Sequence, residues 1–154
     1  MPKLFMLVGL PGAGKSTWIR NQTLTDDAII LSTDAYIEDR ALAEDKTYSE
    51  AFADYIYDAT AQLHEDLEYA MQNGKDIIWD QTNLTLRGRR EKLDKVMGSY
   101  EKIAVVFKTP DDIAERLMKR ESTGKIIPVS IFTSMKNTYE PPTRFEGFSR
   151  IIEV

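Results

Sequence analysis

The stretch Gly9-Leu10-Pro11-Gly12-Ala13-Gly14-Lys15-Ser16-Thr17 matches the spacing G-x-x-x-x-G-K-[ST], and the residues on either side supply the context this spacing needs. Before it, Leu4-Phe5-Met6-Leu7-Val8 is a continuous apolar run of strand length; after it, Ser16 to Gln22 reads as the opening turns of a helix. A strand, a glycine-rich turn and a helix N-terminus in that order make a phosphate-binding P-loop. Glycine at 12 and 14 permits backbone conformations that a Cβ would block, so successive N–H groups can turn inward on a polyphosphate. Lys15 then reaches the β- and γ-phosphates of a nucleoside triphosphate and the Ser16 hydroxyl holds Mg²⁺, with Gly9, Pro11, Gly12, Ala13, Gly14 and Thr17 completing the cradle.

Around this loop, 154 residues with 42% hydrophobic and 29% charged side chains suit one domain, 1–154, with a core of its own. No run approaches the roughly 18 apolar residues of a membrane span, and Met1-Pro2-Lys3 leads into a strand rather than a secretory signal. A soluble, cytoplasmic protein is expected. The absence of cysteine excludes disulfides, thiolate metal sites and cysteine nucleophiles, and His64 has no second histidine with which to share a metal. His64 is therefore expected at the surface of a helix or half-buried in it.

Further along, Ala28-Ile29-Ile30-Leu31-Ser32 reads as a second buried strand, with Thr33 and Asp34 at its C-terminal end. Ligands of open parallel α/β sheets bind beyond the carboxyl ends of strands, which puts Asp34 where chemistry is expected. A charged segment, Tyr36 to Lys46, reads as a short helix and loop. From Tyr48 to Gln72 apolar residues recur at three- and four-residue spacing, a long amphipathic helix stopped by Asn73-Gly74, its tyrosines assigned to packing. Asp76-Ile77-Ile78-Trp79-Asp80 is a third strand ending in an acid, followed by the polar loop Gln81-Thr82-Asn83-Leu84. Arg87, Arg89 and Arg90 then lead a helix to about Met97. Lys102 to Lys108 is a fourth strand. Thr109 is placed as the cap of a helix carrying Arg116, Lys119 and Arg120, with Pro110 at its first position and Asp111-Asp112 at its positive end. The polar turn Ser122-Thr123-Gly124-Lys125, a last helix from Ile131 to about Tyr139 and a fifth strand, Phe148 to Val154, complete the chain. Strands alternating with helices predict an α/β fold: a five-stranded parallel sheet with helices on both faces.

Taken in order, GLPGAGKSTW, the Asp34-Ala35-Tyr36 after the second strand, QTNLTLRGRR, KRESTGKIIP and SMK resemble the P-loop kinase family of the polynucleotide 5′-hydroxyl kinases over nearly the whole chain. The resemblance implies strand order 2-3-1-4-5, ATP and Mg²⁺ as cofactors, and Asp34 as the general base. It also implies a small basic lid at about 116–127, with Arg116 or Arg120 as its donor-side charge. Two positions depart from the family pattern: Ile37 stands where an arginine serves the substrate side, and Thr123 replaces the arginine before the lid glycine. The same broad group includes a phage kinase acting on 5-hydroxymethyluracil in DNA, so a base hydroxyl stays open beside a 5′-hydroxyl.

For the other candidates two readings stand side by side. Asp34 either takes the acceptor proton or caps a helix starting near Tyr36; Asp80 either orders a magnesium-bound water or is a turn acid. Thr82 and Asn83 either meet substrate or order their loop. Three arginines at a helix N-terminus oppose the dipole, which makes Arg87 and Arg90 candidates for an anionic partner such as a DNA or RNA end. The net charge is −5, with residues 1–80 at −9 and residues 81–154 at +4. A long nucleic-acid groove is thereby disfavoured and a short polyanion at one basic wall is not. A small-metabolite or nucleoside kinase is the alternative. A nucleotide-dependent switch has less support, because no guanine-reading Asn-Lys-x-Asp occurs.

Overall fold

The computed structural model describes residues 1–121 and 124–154. Its strands are β1 (Lys3–Val8), β2 (Ile29–Leu31), β3 (Ile77–Trp79), β4 (Glu101–Val106) and β5 (Arg150–Glu153), all parallel, in the order β2-β3-β1-β4-β5. The helices are α1 (Lys15–Arg20), α2 (Thr33–Ala43), α3 (Tyr48–Gln72), α4 (Leu86–Leu93), α5 (Ile113–Glu121) and α6 (Val129–Thr138). The expected α/β class and strand order are both present.

β1 explains why helices cover both faces. Alternate side chains of a strand point to opposite sides, and here both sets are apolar. Leu4, Met6 and Val8 join Leu63, Leu67 and Ala70 of α3 in one core, while Phe5 and Leu7 join Phe107 and the partly buried Trp18 and Ile19 of α1 in another. A third cluster packs Ile37 and Ala41 of α2 on Ala51 and Ala59 of α3.

Three expected boundaries shift for identifiable reasons. α2 starts at Thr33 rather than near Tyr36, because Ser32 is its N-cap and accepts from the Ala35 N–H at 3.3 Å. Asp34 is therefore a first-turn residue and not the cap. α5 starts at Ile113, whose N–H is taken by the Pro110 carbonyl at 3.2 Å; Pro110-Asp111-Asp112 form a turn before the helix instead of its first residues. α4 ends at Leu93, and the chain closes in tight turns to Val96 instead of continuing to Met97. Ser122 and Thr123 of the expected lid lie outside the described residues. No helix among the described residues is long and apolar enough to cross a membrane. His64 is exposed on α3, as expected.

Candidate active site

At the C-terminal end of β1 the chain turns through Gly9–Gly14 into α1. The Gly9 N–H donates to the Thr82 carbonyl at 3.0 Å, which ties the P-loop to the loop after β3. Gly12 and Gly14 have φ of +81° and +107°, the left-handed region that glycine enters without strain, and Gly14 is the N-cap residue of α1. Lys15 folds back over the loop, its Nζ donating to the carbonyls of Gly9 at 2.7 Å and Leu10 at 3.1 Å. Burial lowers its ammonium pKa to about 8 against the opposing pull of Asp80. Ser16 and Thr17 are exposed on the first turn of α1, Pro11 is buried, and Gly12, Ala13 and Gly14 are partly exposed. This is a preformed cradle with a charge suited to phosphate.

Asp80 follows β3, anchored by its N–H on the Leu31 carbonyl at 2.8 Å. Burial pushes its carboxyl up, and Lys15 pulls it down by less. A carboxylate of this kind gains from a nearby cation. A hydroxyl at Ser16 and a carboxylate at Asp80 are hard oxygen donors of the type Mg²⁺ takes. No cluster of three or more His, Cys, Asp or Glu suited to a metal exists among the described residues, which a metal held largely by substrate oxygens does not require.

Asp34 stands one strand further, in the first turn of α2, with its side chain half-exposed. The Tyr48 hydroxyl donates to its Oδ1, and Lys125 Nζ donates to its Oδ2 at 3.0 Å and to Glu38 Oε1 at 2.8 Å. Partial burial pushes the Asp34 carboxyl up; the Lys125 ammonium and the Tyr48 hydroxyl outweigh it and hold the group below the usual carboxylate range. The hold of Tyr48 and Lys125 on Asp34 is not legible in the sequence: Tyr48 reads as a packing tyrosine of the long helix, and Lys125 as one basic residue of the expected lid. A cleft of about 350 Å³ beside them is lined by Glu38, Ala41, Leu42, Lys46, Tyr48 and Lys125.

The expected arginines divide. Arg116 donates from Nη1 to the Gly12 carbonyl at 3.2 Å and pairs through Nε with Asp112 at 3.0 Å, so α5 rests directly on the P-loop. The charge of Arg120 is felt by both Lys15 and Asp34. Arg87 is exposed and paired with Glu91 at 3.2 Å, and Arg90 is exposed on the same helix. Arg89 is not part of any wall: fully buried, it grips Glu146 with Nε at 2.7 Å and Nη2 at 3.3 Å, and donates from Nη1 to the Asn83 carbonyl at 3.0 Å. Asn83 is also buried, with φ of +49°. Its amide donates to the Leu7 carbonyl at 2.7 Å and its Oδ1 accepts from Lys92 at 2.5 Å, which is loop ordering. Thr82 contributes its carbonyl to the P-loop.

The profile of a family described as an AAA domain matches residues 4–142. The chain belongs to this family. Its P-loop, sheet order and covering helices are those of the P-loop kinases, with a likeness to polynucleotide kinase. Mouse heterogeneous nuclear ribonucleoprotein U-like protein 2 is 24% identical over 97% of the chain, and the chain spans about a fifth (21%) of that relative's length. A protein of Chloroflexus aurantiacus, provisionally assigned as a kinase, superimposes with TM-score 0.74 at 18% identity over 99% of this chain and 84% of that one. A chain of the Pnkp1/Rnl/Hen1 RNA repair complex does so with TM-score 0.65 at 28% identity over 89% of this chain and 43% of its own length. Sugar kinases share the fold at 18–20% identity. The family points to a kinase-type enzyme that binds a nucleotide.

Proposed function

We propose that this protein transfers the γ-phosphate of ATP to a hydroxyl carried by a nucleic acid, first the 5′-hydroxyl of a DNA or RNA end and second a hydroxymethylated DNA base. The observation that carries the reading is Asp34, an ionised, half-exposed carboxylate at the end of the strand next but one to the P-loop, electrically coupled to Lys15. The nucleic-acid acceptor draws on the 28% identity with the RNA repair chain, which extends over most of this chain.

In this reading the P-loop N–H groups and Lys15 hold the donor phosphates, and Arg116 and Arg120 add positive charge from α5. The acceptor oxygen bonds to the γ-phosphorus as the bond to the β-phosphate oxygen breaks, Asp34 takes the acceptor proton, and ADP leaves. Mg²⁺, held through Ser16 and Asp80, would neutralise phosphate charge. Loose phosphoryl-transfer transition states need positioning and charge more than covalent help, and these residues supply both.

One observation favours the small-metabolite alternative: each ammonium of the cleft beside Asp34 is already held by two carboxylates. Lys46 is shared by Glu44 at 2.8 Å and Asp54 at 3.0 Å, and Lys125 by Asp34 and Glu38. A neutral polyol suits such a cleft. Labelled ATP offered to 5′-hydroxyl oligonucleotides, 5-hydroxymethyluracil DNA, free nucleosides and sugars decides between them. Label in the oligonucleotides or the modified DNA is expected; label confined to nucleosides or sugars overturns the nucleic-acid reading.

A further inference from the structure

Asp34 receives its two donors from parts of the chain 14 and 91 residues away. Tyr48 opens α3, directly after the Thr47 cap; Lys125 follows Gly124, which packs so closely on Thr47 that a Cβ at 124 would lie 3.0 Å from the Thr47 Cβ. The Ser49 hydroxyl also donates to the Gly124 carbonyl at 3.5 Å. Lys125 lies over the Tyr48 ring, its Nζ 4.8 Å from the centroid, with only 15% of its side chain exposed. The two donors thus brace each other as well as the carboxylate.

A carboxylate offers about four lone-pair directions. One donor on each oxygen prevents rotation of the carboxylate plane and leaves the remaining lone pairs facing defined directions. We propose that Tyr48 and Lys125 are positioning residues of the acceptor site, fixing how Asp34 meets the acceptor hydroxyl, and that Glu38 tunes the grip of Lys125 by competing for its ammonium. This rests on Asp34 being the base of the proposed reaction, and neither residue needs to touch the reacting atoms.

The charged and titratable groups around Asp34 are Lys125, Tyr48 of α3, Arg120 of α5, Lys15 of α1, Asp80 after β3, and Glu38 of its own helix. Three substitutions separate a positioning role from a simple tie between segments, because their signs differ. Tyr48→Phe and Lys125→Met each remove a donor that favours the ionised carboxylate, so Asp34 should titrate at higher pH. Glu38→Gln removes a negative neighbour and the rival for Lys125, so Asp34 should titrate at lower pH.

The direct measurement is a carbon-13 NMR titration of the Asp34 side-chain carboxyl in the nucleotide-free protein, wild type against the three variants. Transfer from labelled ATP to a 5′-hydroxyl oligonucleotide is followed across pH alongside it. The acid limb should move in the same directions, and Tyr48→Phe should lose roughly ten- to a hundredfold in turnover without change in KM for ATP. Lys125→Arg should restore most of what Lys125→Met loses. An Asp34 titration unmoved in all three variants, or wild-type turnover in Tyr48→Phe, overturns the proposal. If no acceptor takes label, the proposed function falls, and the NMR titration still tests how Asp34 is held.

Discussion

At the scale of the residue, Lys15 carries a pH dependence whose sign follows from its surroundings. In the nucleotide-free protein its pKa is lowered to about 8 by burial, and a bound polyphosphate stabilises the charged form and raises it. Below pH 8 the ammonium is already present and binding takes up no proton. Above it, each binding event must first protonate Lys15, so ATP affinity should fall with rising pH, approaching tenfold per pH unit. Calorimetry in buffers of different ionisation enthalpy should register the proton uptake, and Lys15→Arg should remove the bend. Lys15→Met should abolish transfer and leave thermal unfolding near wild type. Asp34→Asn is expected to separate from it, with transfer lost and ATP affinity retained; a parallel loss of affinity would move Asp34 from acceptor to donor side.

At the scale of the element, α3 shows what was legible in the chain and α2 what was not. The span Tyr48–Gln72 agrees with the residues' apolar spacing because packing and local signals coincide: Thr47 caps one end, and Asn73-Gly74 stops the other. At α2, three polar residues in a row, Ser32, Thr33 and Asp34, each qualify as a cap, and only the backbone path out of β2 selects Ser32. The donors to Asp34 were hidden for a related reason, since they arrive through tertiary folding and not through spacing. Contact between α5 and the P-loop lies at this scale too. A Cβ built on Gly12 would lie 3.1 Å from Ile113 Cδ1, at a φ of +81° that other residues adopt only under strain. Gly12→Ala should therefore strain the loop at the point where Arg116 and Ile113 of α5 rest on it. An increase in KM for ATP of at least severalfold is expected in steady-state kinetics, with a stability loss of about 1–2 kcal/mol by denaturant titration.

At the scale of the whole molecule, the strand order decides which candidates meet. With β2, β3 and β1 side by side, Asp34, Asp80 and the P-loop all follow neighbouring strand ends, so residues up to 71 positions apart in the chain surround one phosphate-binding loop. The same folding divides the arginines of α4, which are equivalent in sequence. Arg87 and Arg90 remain outside, whereas Arg89 is enclosed against Glu146, which lies 57 residues further on and also accepts from the Thr143 N–H at 2.7 Å. Nothing in the local pattern marks Arg89 as the internal one. Removing one partner of a buried ion pair strands the other, at a cost of about 3–5 kcal/mol, while an exposed arginine changes stability by roughly 0.5 kcal/mol or less. Arg89→Met should thus unfold at markedly lower denaturant than wild type, and Arg90→Ala should not. Arg89 also holds the Asn83 carbonyl, and the neighbouring Thr82 carbonyl accepts from the Gly9 N–H, so the pair supports the P-loop through two hydrogen bonds. Under conditions where Arg89→Met is still folded, its ATP affinity should be reduced while Arg90→Ala retains wild-type affinity; equal affinities in the two variants would disconnect the buried pair from the nucleotide site.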